Sequence, residues 1–454
     1  MKKTNEVMRK IMILMIITVI PIISIHTYRY FFMDGLPSGQ EAYKNLLISE
    51  KVGAETTPYH YILNYGSRFF DLQIFSQIFS LIMGITTVIL FYFILKEFFD
   101  EETSFISASL LALSPIFISK FSIPSVDAFF VLILLATLFI IIKLSDSAYF
   151  YLVIPLAITA SFFGFFYTII YVFSCTIMSL KFKNKKTIAI ILFITALLSI
   201  IFYKPWYFNL IKEPFLINQN TISLLITDSG NVNGIGFFSL LLAFAGLIFT
   251  WKEDKEKYFL HHTIFFIALL LSAFYYTNLI VYLNFLVCFL AAIGLIRFYR
   301  MKWKLPIIKK VTLWFMIYGL IFSLFFNMSL ISKQDPTPGL KNAISKLKGT
   351  ALSDPSYGYW IEYYSNSKPY ININPNDNRY VHKINRTNEI FNSRNLEKTK
   401  TIIEKENITT VLIDEKMKEN LWKNENSGLL FVLNNSKFMI KRYENQNAAI
   451  WEIR

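Results

Sequence analysis

The chain is poor in the residues from which compact metal and nucleophile sites are usually built. It has two cysteines and five histidines in 454 residues. Cys175 and Cys288 both fall inside long apolar runs, so neither a disulfide framework nor a thiolate metal site is indicated. The sequence contains no His-Glu-x-x-His or His-x₃-His pattern and no Gly-Lys-Ser/Thr phosphate loop. These absences argue against an intramembrane zinc hydrolase and against ATP-driven transport.

Charged residues are also scarce, at 17%, whereas 54% of the residues are hydrophobic and 45 are phenylalanine. This composition is too apolar for a soluble protein of this length and predicts a polytopic α-helical membrane protein. Runs of about 17–25 apolar residues can cross a hydrocarbon core of about 30 Å. About eleven such runs are present, at roughly residues 11–33, 72–95, 103–122, 127–144, 148–163, 166–180, 187–204, 234–250, 258–275, 277–296 and 311–330. Because ionisable residues rarely interrupt them, a transporter or flippase is disfavoured.

The net charge of +14 does not indicate a nucleic-acid partner, because the lysines and arginines cluster between the apolar runs, where they orient a membrane protein. With the amino terminus inside, the basic segments 2–10, 181–186, 252–257 and 297–310 all fall on the cytoplasmic side. No small-residue cleavage pattern follows the first run, so we expect it to remain as a helix. We therefore predict a multi-pass protein of the cell membrane with a cytoplasmic amino terminus and an extracytoplasmic carboxyl-terminal tail.

Three polar segments fall on the outer side of this topology, at residues 34–68, 205–233 and 332–454. The last of them is long enough to have a core of its own. Its pattern predicts a mixed α/β domain, with helical segments at 340–347 and 417–422 and strands at 409–413, 438–440 and 449–451. We therefore predict two domains, a membrane domain over residues 1–331 and an extracytoplasmic α/β domain over residues 332–454.

Two carboxylates stand in the first outer segment, directly after the first apolar run. They belong to the sequence Asp34-Gly-Leu-Pro-Ser-Gly-Gln-Glu41, in which glycine and proline bend the chain before a helix that starts near Gln40. A carboxylate in such a place can act as a base or as a metal ligand. The alternative interpretation is an ordinary acidic and solvated loop.

The second outer loop carries Asp127 at the beginning of a wholly apolar run. A carboxylate there favours the helix dipole and can serve as an N-cap. Lys120, Arg68 and Lys204 are cations on the outer side, where each suits an anionic phosphate or, alternatively, a position at the membrane interface. His60 suits either a phosphate contact or the cap of a loop.

The tail begins with a segment that resembles a known family. Residues 351–361, with Tyr357-Gly-Tyr-Trp360, resemble the region around the Trp-Trp-Asp-Tyr-Gly signature of the archaeal and bacterial oligosaccharyltransferase catalytic subunit. That subunit is a membrane glycosyltransferase of the GT-C fold. Asp354-Pro-Ser stands where the family has Trp, Trp and Asp, so ordinary recognition of an Asn-x-Ser/Thr acceptor is not expected. Residues 369–378 resemble the stretch after the signature.

Three further segments resemble this family, in the same order along the chain. Glu41-Ala-Tyr-Lys-Asn-Leu looks like the run that carries the catalytic carboxylate of the first loop. Ser-Val-Asp127 is similar to the first half of an Asp-x-Asp/Glu metal pair, whose second acid is replaced by Phe129. Asn-Thr-Ile-Ser-Leu224 resembles a Thr-Ile-x-Glu element without its Glu, for which Asp228 is a possible substitute.

The resemblance implies the GT-C fold and the transfer of a sugar or glycan from a polyisoprenyl phosphate or diphosphate donor to a protein or glycan acceptor on the outer face. The site residues that it implies are Glu41 and then Asp34 as the catalytic carboxylate, Asp127 as a ligand of Mg²⁺ or Mn²⁺, Lys120, Arg68, His60 and Lys204 at the donor phosphate, and Asp228, Tyr357 and Trp360 on the acceptor side.

The metal assignment needs further ligands, because a lone carboxylate holds Mg²⁺ or Mn²⁺ poorly. Glu41 or Asp34, water and the substrate phosphate are the expected additions. The altered signature, the missing second metal acid and the missing loop Glu favour an alternative, a non-catalytic scaffold or lipid-glycan binding protein with a GT-C-like fold.

Overall fold

A computed structural model describes residues 2–51, 53, 56–179, 185–203, 225–253, 255–274, 279–365, 367–372, 380–422, 424 and 426–454. The chain divides into two compact units. The membrane unit contains Met1–Tyr28 and Ile48–Ser332, and the tail unit contains Arg29–Leu47 and Lys333–Arg454. The loop between the first two helices, predicted to lie on the outer side, therefore belongs to the same unit as the tail. The sequence-based division after residue 331 stays a prediction.

Helices make up the membrane unit, and two of them, α1 and α2, continue into the tail unit. In chain order they are α1 (Lys2–Phe32), α2 (Gly39–Glu50), α3 (Pro58–Gly66), α4 (Leu72–Lys96), α5 (Glu101–Ala112), α6 (Pro115–Phe121), α7 (Val126–Lys143), α8 (Val153–Ser161), α9 (Phe165–Ser179), α10 (Lys185–Tyr203), α11 (Phe237–Glu253), α12 (Lys255–Phe274), α13 (Ile280–Arg300) and α14 (Pro306–Ser332). Short 3₁₀ turns at Ala148–Leu152 and Thr227–Ser229 precede α8 and α11.

Among the described residues, six helices are long and apolar enough to cross a membrane. They are Asn5–Phe32, Leu72–Lys96, Val126–Lys143, Lys185–Phe202, Ile280–Arg300 and Pro306–Ser332. Helices α5 and α6 meet at 60° and add a seventh if the bent pair is one span. Shorter apolar helices occupy the remaining runs, at Ala148–Ser161, Phe165–Ser179, Phe237–Lys252 and Tyr258–Ser272. The multi-pass helical class is confirmed, whereas eleven spans and the orientation of the termini stay predictions.

Two glycines allow α11 and α13 to pack closely. A Cβ on Gly246 would lie 2.0 Å from the carbonyl oxygen of Leu290, and a Cβ on Gly294 would lie 2.3 Å from that of Leu242. Small residues at such crossings are typical of helices that pack inside membranes, where close backbone contact replaces the hydrophobic driving force. This pair of glycines therefore sets the distance between two central helices of the unit.

Charged residues at the ends of the helices are paired with one another. Glu101, in the first turn of α5, contacts Lys10 of α1 at 3.0 Å and Lys96 of α4 at 3.4 Å. The hydroxyl of Tyr92 donates to the same carboxylate at 3.2 Å. Lys143 pairs with Glu97, which ties the end of α7 to the end of α4. These contacts join four helices at one end of the bundle.

The tail unit has a five-stranded sheet flanked by short helices. Its strands are β1 (Thr350–Leu352), β2 (Lys368–Pro369), β3 (Thr410–Asp414), β4 (Met439–Glu444) and β5 (Ala448–Ile453), and its helices are α15 (Pro338–Ile344), α16 (Gly358–Tyr364), α17 (Tyr380–Asn392), α18 (Leu396–Lys405), α19 (Glu415–Leu421) and α20 (Gly428–Asn435). The strand order is β2-β1-β3-β5-β4. β1 is parallel to β2 and β3, and β5 is antiparallel to β3 and β4.

The core of this sheet is its central strand. Val411, Leu412 and Ile413 of β3 are fully buried, and β5 pairs with β3 over five residues, from Thr410↔Glu452 to Asp414↔Ala448. The apolar runs at 409–413, 438–440 and 449–451 predict β3, β4 and β5, and all three strands are present. Strands β1 and β2 have three and two residues, too few to show an alternating pattern.

Candidate active site

The loop between α1 and α2 is fixed by the guanidinium of Arg29. This side chain, 3% exposed, donates to the carbonyls of Leu36 and Pro37 within the loop. It also donates to the carbonyls of Gln334, at 2.7 Å, and Pro336, at 3.5 Å, in the segment that begins the tail. One arginine, with donors on three nitrogens, therefore holds two segments that are about 300 residues apart in sequence.

Both candidate carboxylates of this loop belong to the tail unit. Asp34 is exposed and has a positive φ of 50°, a left-handed conformation that Asp adopts more readily than most residues. Glu41 is half-buried and lies in the first turn of α2, where the helix dipole favours a negative charge. The helix begins at Gly39, one residue before the predicted start near Gln40.

The start of α2 is anchored on both sides of Glu41. The backbone N–H of Gly39 donates to the carbonyl of Asp335 at 2.9 Å. The hydroxyls of Tyr43 and Tyr364 are 2.6 Å apart, and the ring of Tyr43 packs edge-on against those of Tyr363 and Tyr364. Burial, together with the neighbouring Tyr364, raises the pKa of Tyr43 far above its usual value, so this phenol stays protonated. Glu41 therefore lies on a fixed turn.

The second candidate group lies in the membrane unit and consists of Asp127, Lys120 and Tyr167. Lys120 Nζ is 2.8 Å from Asp127 Oδ2, and the hydroxyl of Tyr167 donates to Asp127 Oδ1 at 2.5 Å. Lys120 is 4% exposed and Asp127 is 5% exposed. The structure thus brings together two residues that the sequence proposed separately, and it adds Tyr167, which the sequence analysis did not identify.

Asp127 is not the N-cap of α7, contrary to one interpretation of the sequence. The cap position is taken by Ser125, and Asp127 lies in the first turn. Its carboxylate is instead drawn to the ammonium of Lys120 and the phenol of Tyr167. Lys120 is also buried, which excludes the alternative of an exposed side chain at the membrane interface.

Three other residues were predicted to lie at the donor phosphate, namely His60, Arg68 and Lys204. His60 Nδ1 accepts from the backbone N–H of Thr57 at 3.0 Å and lies 3.0 Å from its hydroxyl, which makes His60 part of the capping box of α3. Arg68 is exposed, with its guanidinium 5.7 Å from the centre of the Tyr65 ring. Lys204 lies outside the described residues. The assignment of these three residues to a phosphate stays a prediction.

Asp228 joins two helices of the membrane unit. Its Oδ2 accepts from the backbone N–H of Phe237 at 2.6 Å, at the start of α11. Its Oδ1 accepts from the hydroxyl of Ser323 in α14, also at 2.6 Å. The preceding element, residues 220–224, lies outside the described residues, so its resemblance to an acceptor loop stays a prediction.

The signature-like segment of the tail forms part of its core. The rings of Tyr357 and Trp360 are buried and stack with their centroids 4.9 Å apart. Tyr357 donates its hydroxyl to Asp414 Oδ2 at 2.6 Å. Gly358 leaves room for the side chain of Asn372, which a Cβ would approach to 2.7 Å. Packing within the tail unit accounts for the positions of Tyr357 and Gly358, and the assignment of Tyr357 and Trp360 to the acceptor side stays a prediction.

Asp414 is the titratable centre of this core. It is the last residue of β3, and it caps α19 by accepting from the backbone N–H of Met417 at 2.9 Å. Burial raises the pKa of Asp414 above its usual value, although the hydrogen bonds from Tyr357 and Met417 act in the opposite direction. Burial and the bond to Asp414 also raise the pKa of Tyr357 well above its usual value.

Asp414→Asn is expected to remove a pH-dependent loss of stability. The pKa of Asp in an unfolded chain is about 3.9, and the pKa of Asp414 in the folded protein is higher. Protonated Asp414 therefore stabilises the fold fully at a pH below the unfolded pKa, and this stabilisation is lost as the pH rises through the folded pKa. Asparagine keeps an oxygen to accept from the backbone N–H of Met417, presents its NH₂ to the hydroxyl of Tyr357, and has no charge to bury. The unfolding temperature of the full chain should decrease less steeply between pH 4 and pH 7 for Asp414→Asn than for the wild type. Asp354→Asn is the control, because Asp354 accepts a hydrogen bond from the backbone N–H of Ser356. Its unfolding temperature should depend on pH as that of the wild type does. The same pH dependence in all three proteins would contradict the expectation.

A divalent cation does not fit beside Asp127. Both carboxylate oxygens already have partners, one of which is a cation, and Phe129 stands where the resembling family has a second acid. In the described part of the chain, no three His, Cys, Asp or Glu side chains are grouped in a way that could hold a metal ion. The prediction of a metal at Asp127 therefore has no support in the geometry of this loop.

Comparisons with known proteins give the fold. A family model described as dolichyl-phosphate-mannose-protein mannosyltransferase matches residues 59–208. The solved structure of the Archaeoglobus fulgidus oligosaccharyltransferase in the apo form is 13% identical, with a TM-score of 0.61 over 90% of this chain and 70% of that chain. ArnT from Cupriavidus metallidurans, bound to undecaprenyl phosphate, is 9% identical, with a TM-score of 0.50 over 99% of this chain and 98% of that chain. The chain has the GT-C fold.

A third structure with the GT-C fold contains a lipid phosphate and a peptide. It is the archaeal oligosaccharyltransferase AglB from Archaeoglobus fulgidus, in complex with an inhibitory peptide and a dolichol-phosphate. It is 13% identical, with a TM-score of 0.58 over 92% of this chain and 70% of that chain. No curated protein matches the chain. The fold that the resemblance implied is therefore confirmed.

Proposed function

We propose that the chain is a membrane glycosyltransferase that transfers a sugar or glycan from a polyisoprenyl phosphate or diphosphate donor to a protein or glycan acceptor on the outer face. The GT-C fold is the observation that carries this proposal. It is supported by the solved relatives, one with undecaprenyl phosphate and one with dolichol-phosphate. Glu41, or Asp34 as the second candidate, acts as the base or as the acid that orients the acceptor. The carboxyl-terminal tail lies on the outer side, as the charge pattern of the loops predicts.

An apolar groove in the membrane unit supports a donor with a long hydrocarbon chain. The groove has a volume of about 840 Å³ and lies between α3, α4, α7 and α8. Two threonines line it, and both donate to carbonyls of their own helices, Thr86 to Ile82 at 2.9 Å and Thr159 to Pro155 at 2.8 Å. Most of the remaining lining is hydrocarbon, which suits an isoprenoid chain and disfavours a polar ligand.

The groove and the Asp127 pair use different faces of α7. Phe129, Ile133 and Ala136 line the groove at helical spacing. Asp127 precedes Phe129 by two residues, which is more than half a turn of the helix. In this proposal the groove holds the lipid chain, and the polar ends of the helices hold the phosphate.

A second candidate function is a non-catalytic scaffold or lipid-glycan binding protein with the same fold. The observation that favours it is the pairing of Asp127 with Lys120 and Tyr167, which uses the carboxylate internally. Asp354-Pro-Ser in place of the family's signature residues supports the same candidate.

Consumption of a lipid-linked donor separates the two candidates. Membranes containing the full chain would be incubated with lipid-linked sugars extracted from the producing cells, and the release of polyisoprenyl phosphate or diphosphate would be followed by mass spectrometry. We expect release by the wild type and none by the Glu41→Gln/Asp127→Asn double variant. A double control, Glu50→Gln/Asp146→Asn, should behave as the wild type. Unchanged release by the Glu41/Asp127 variant would refute the assignment of these carboxylates, and no release by the wild type favours the scaffold.

A further inference from the structure

The ion pair of Lys120 and Asp127 already contains the cation that Asp127 needs. Mg²⁺ binds carboxylate oxygens at about 2.0–2.1 Å, whereas Lys120 Nζ is 2.8 Å from Asp127 Oδ2. A metal ion on this carboxylate would share a single negative charge with the ammonium in a buried place. Uncompensated charge of one sign is strongly unfavourable there. The lysine and the metal ion are therefore alternatives at this position.

The end of α6 and the turn that leads into α7, which carry Lys120 and Asp127, are held on several sides. Ser119, beside the lysine, donates to Asn233 Oδ1 at 2.7 Å. The hydroxyl of Ser80 in α4 donates to the carbonyl of Ile123 at 3.0 Å. Phe121 packs against Gly84, where an added Cβ would come within 3.3 Å. A loop fixed in this way keeps the ammonium in one position, as a binding cation requires.

We propose that Lys120 is a built-in replacement for the divalent cation of this loop, and that its ammonium binds the phosphate of the lipid-linked donor. A lysine ammonium has three N–H donors and is a recurrent partner of phosphate groups. Asp127 and Tyr167 are then positioning residues, because Asp127 orients the lysine and Tyr167 orients the carboxylate. The part of the proposal that concerns phosphate rests on the proposed function, whereas the replacement of the metal does not.

Manganese is the probe for the replacement of the metal. Binding of Mn²⁺ to the purified full chain would be titrated by electron paramagnetic resonance for the wild type and for Asp127→Asn. We expect the same number of bound ions in both proteins. A Mn²⁺ site that is present in the wild type and lost in Asp127→Asn would overturn the proposal.

Thermal unfolding tests the pair itself. Lys120→Met and Asp127→Asn each leave a buried charge without its partner, so each single variant should unfold at a lower temperature than the wild type. The variant with both substitutions should unfold above the temperature that two additive shifts predict. Simple additivity would show that Lys120 is not the cation of Asp127.

Farnesyl phosphate, with EDTA present, is the probe for phosphate binding. The Lys120→Met/Asp127→Asn variant has no buried charge in this loop, and we expect it to bind farnesyl phosphate at least about tenfold more weakly than the wild type. The matched control is Lys143→Met/Glu97→Gln, which removes another lysine–carboxylate pair of α7 and should bind as the wild type does. Equal binding by the Lys120/Asp127 variant would refute the phosphate role. If the wild type itself does not bind farnesyl phosphate, the donor of the proposed function is wrong, and the first two measurements still decide on the metal.

Discussion

Glu41→Gln is expected to lower the rate of sugar transfer about 100-fold or more while the protein stays folded. A positioned general base contributes about 10²–10⁴-fold to a reaction rate, and glutamine has nearly the same shape but neither the charge nor the basicity of glutamate. Glu41 is half-buried, and glutamine has nearly the same volume, so the substitution should leave the fold intact. The measurement is the initial rate at which lipid-linked donor is consumed by the full chain in membranes.

Glu50→Gln is the matched control for this substitution. Glu50 is the last residue of the same helix, α2, and is exposed, so its loss should leave the rate unchanged. Asp34→Asn tests the second candidate of the loop. A large loss with Asp34→Asn and none with Glu41→Gln would move the assignment to Asp34, and wild-type rates in both variants would remove the first loop from the mechanism.

The helices of the membrane unit could be predicted from the sequence, because long apolar runs form helices. Each apolar run is mostly helical in its described part. Sequence alone did not reveal the 60° bend between α5 and α6, where Ser114 precedes Pro115. A bend inside an apolar run leaves its hydropathy unchanged, so the run predicts burial and helix but not direction.

The tail shows the same limit in another form. Strand β3 could be predicted because its three central residues, Val411 to Ile413, are buried and form a short run of β-branched and apolar side chains. Strand β2, Lys368–Pro369, is short and only partly buried, so its sequence has no strand pattern. Its position at the edge of the sheet agrees with its proline, which cannot donate a backbone hydrogen bond.

The candidate site could be predicted as a set of residues but not as a set of pairs. Lys120 and Asp127 are seven residues apart across a turn, and Tyr167 is forty residues further on, so no spacing rule connects the three. Asp127 was assigned to a metal because the family's pattern supplies one, whereas the fold supplies an ammonium. Burial and pairing depend on tertiary contacts, which a single sequence does not encode in its local pattern.

Arg29 was missed for a related reason, although a signal was available. It is an arginine at the end of the first apolar run, in a helix that continues to Phe32, directly before the glycine- and proline-rich loop. Its partners are backbone carbonyls, and no side chain in the sequence marks them. An isolated cation beside a bent loop predicts such a contact only when the folded position of the loop is known.

Arg29→Met is expected to destabilise the tail unit by about 3 kcal/mol and, as a result, to lower the rate of sugar transfer. Removal of a donor from buried acceptors costs about 1–3 kcal/mol for each group left unsatisfied. The carbonyls of Leu36 and Pro336 belong to buried residues and would lose the donor that Arg29 provides. The turn that carries Glu41 would then lose its main anchor, so the unfolding temperature and the rate should fall together.

Arg68→Met is the control for stability alone, since Arg68 is exposed and its loss should change stability by no more than about 0.5 kcal/mol, whereas its predicted place at the donor phosphate excludes it as a control for the rate. Arg29→Lys should fall between Arg29→Met and the wild type, because an ammonium keeps the charge but cannot reach carbonyls of two segments in the planar geometry of a guanidinium. Thermal unfolding and donor consumption would be measured on the same preparations. If Arg29→Met unfolds at the same temperature as the wild type and remains active, the contacts of Gly39 and Tyr43 are sufficient to hold the loop. If Arg29→Met is equally stable but inactive, Arg29 takes part in the chemistry rather than in the support of Glu41.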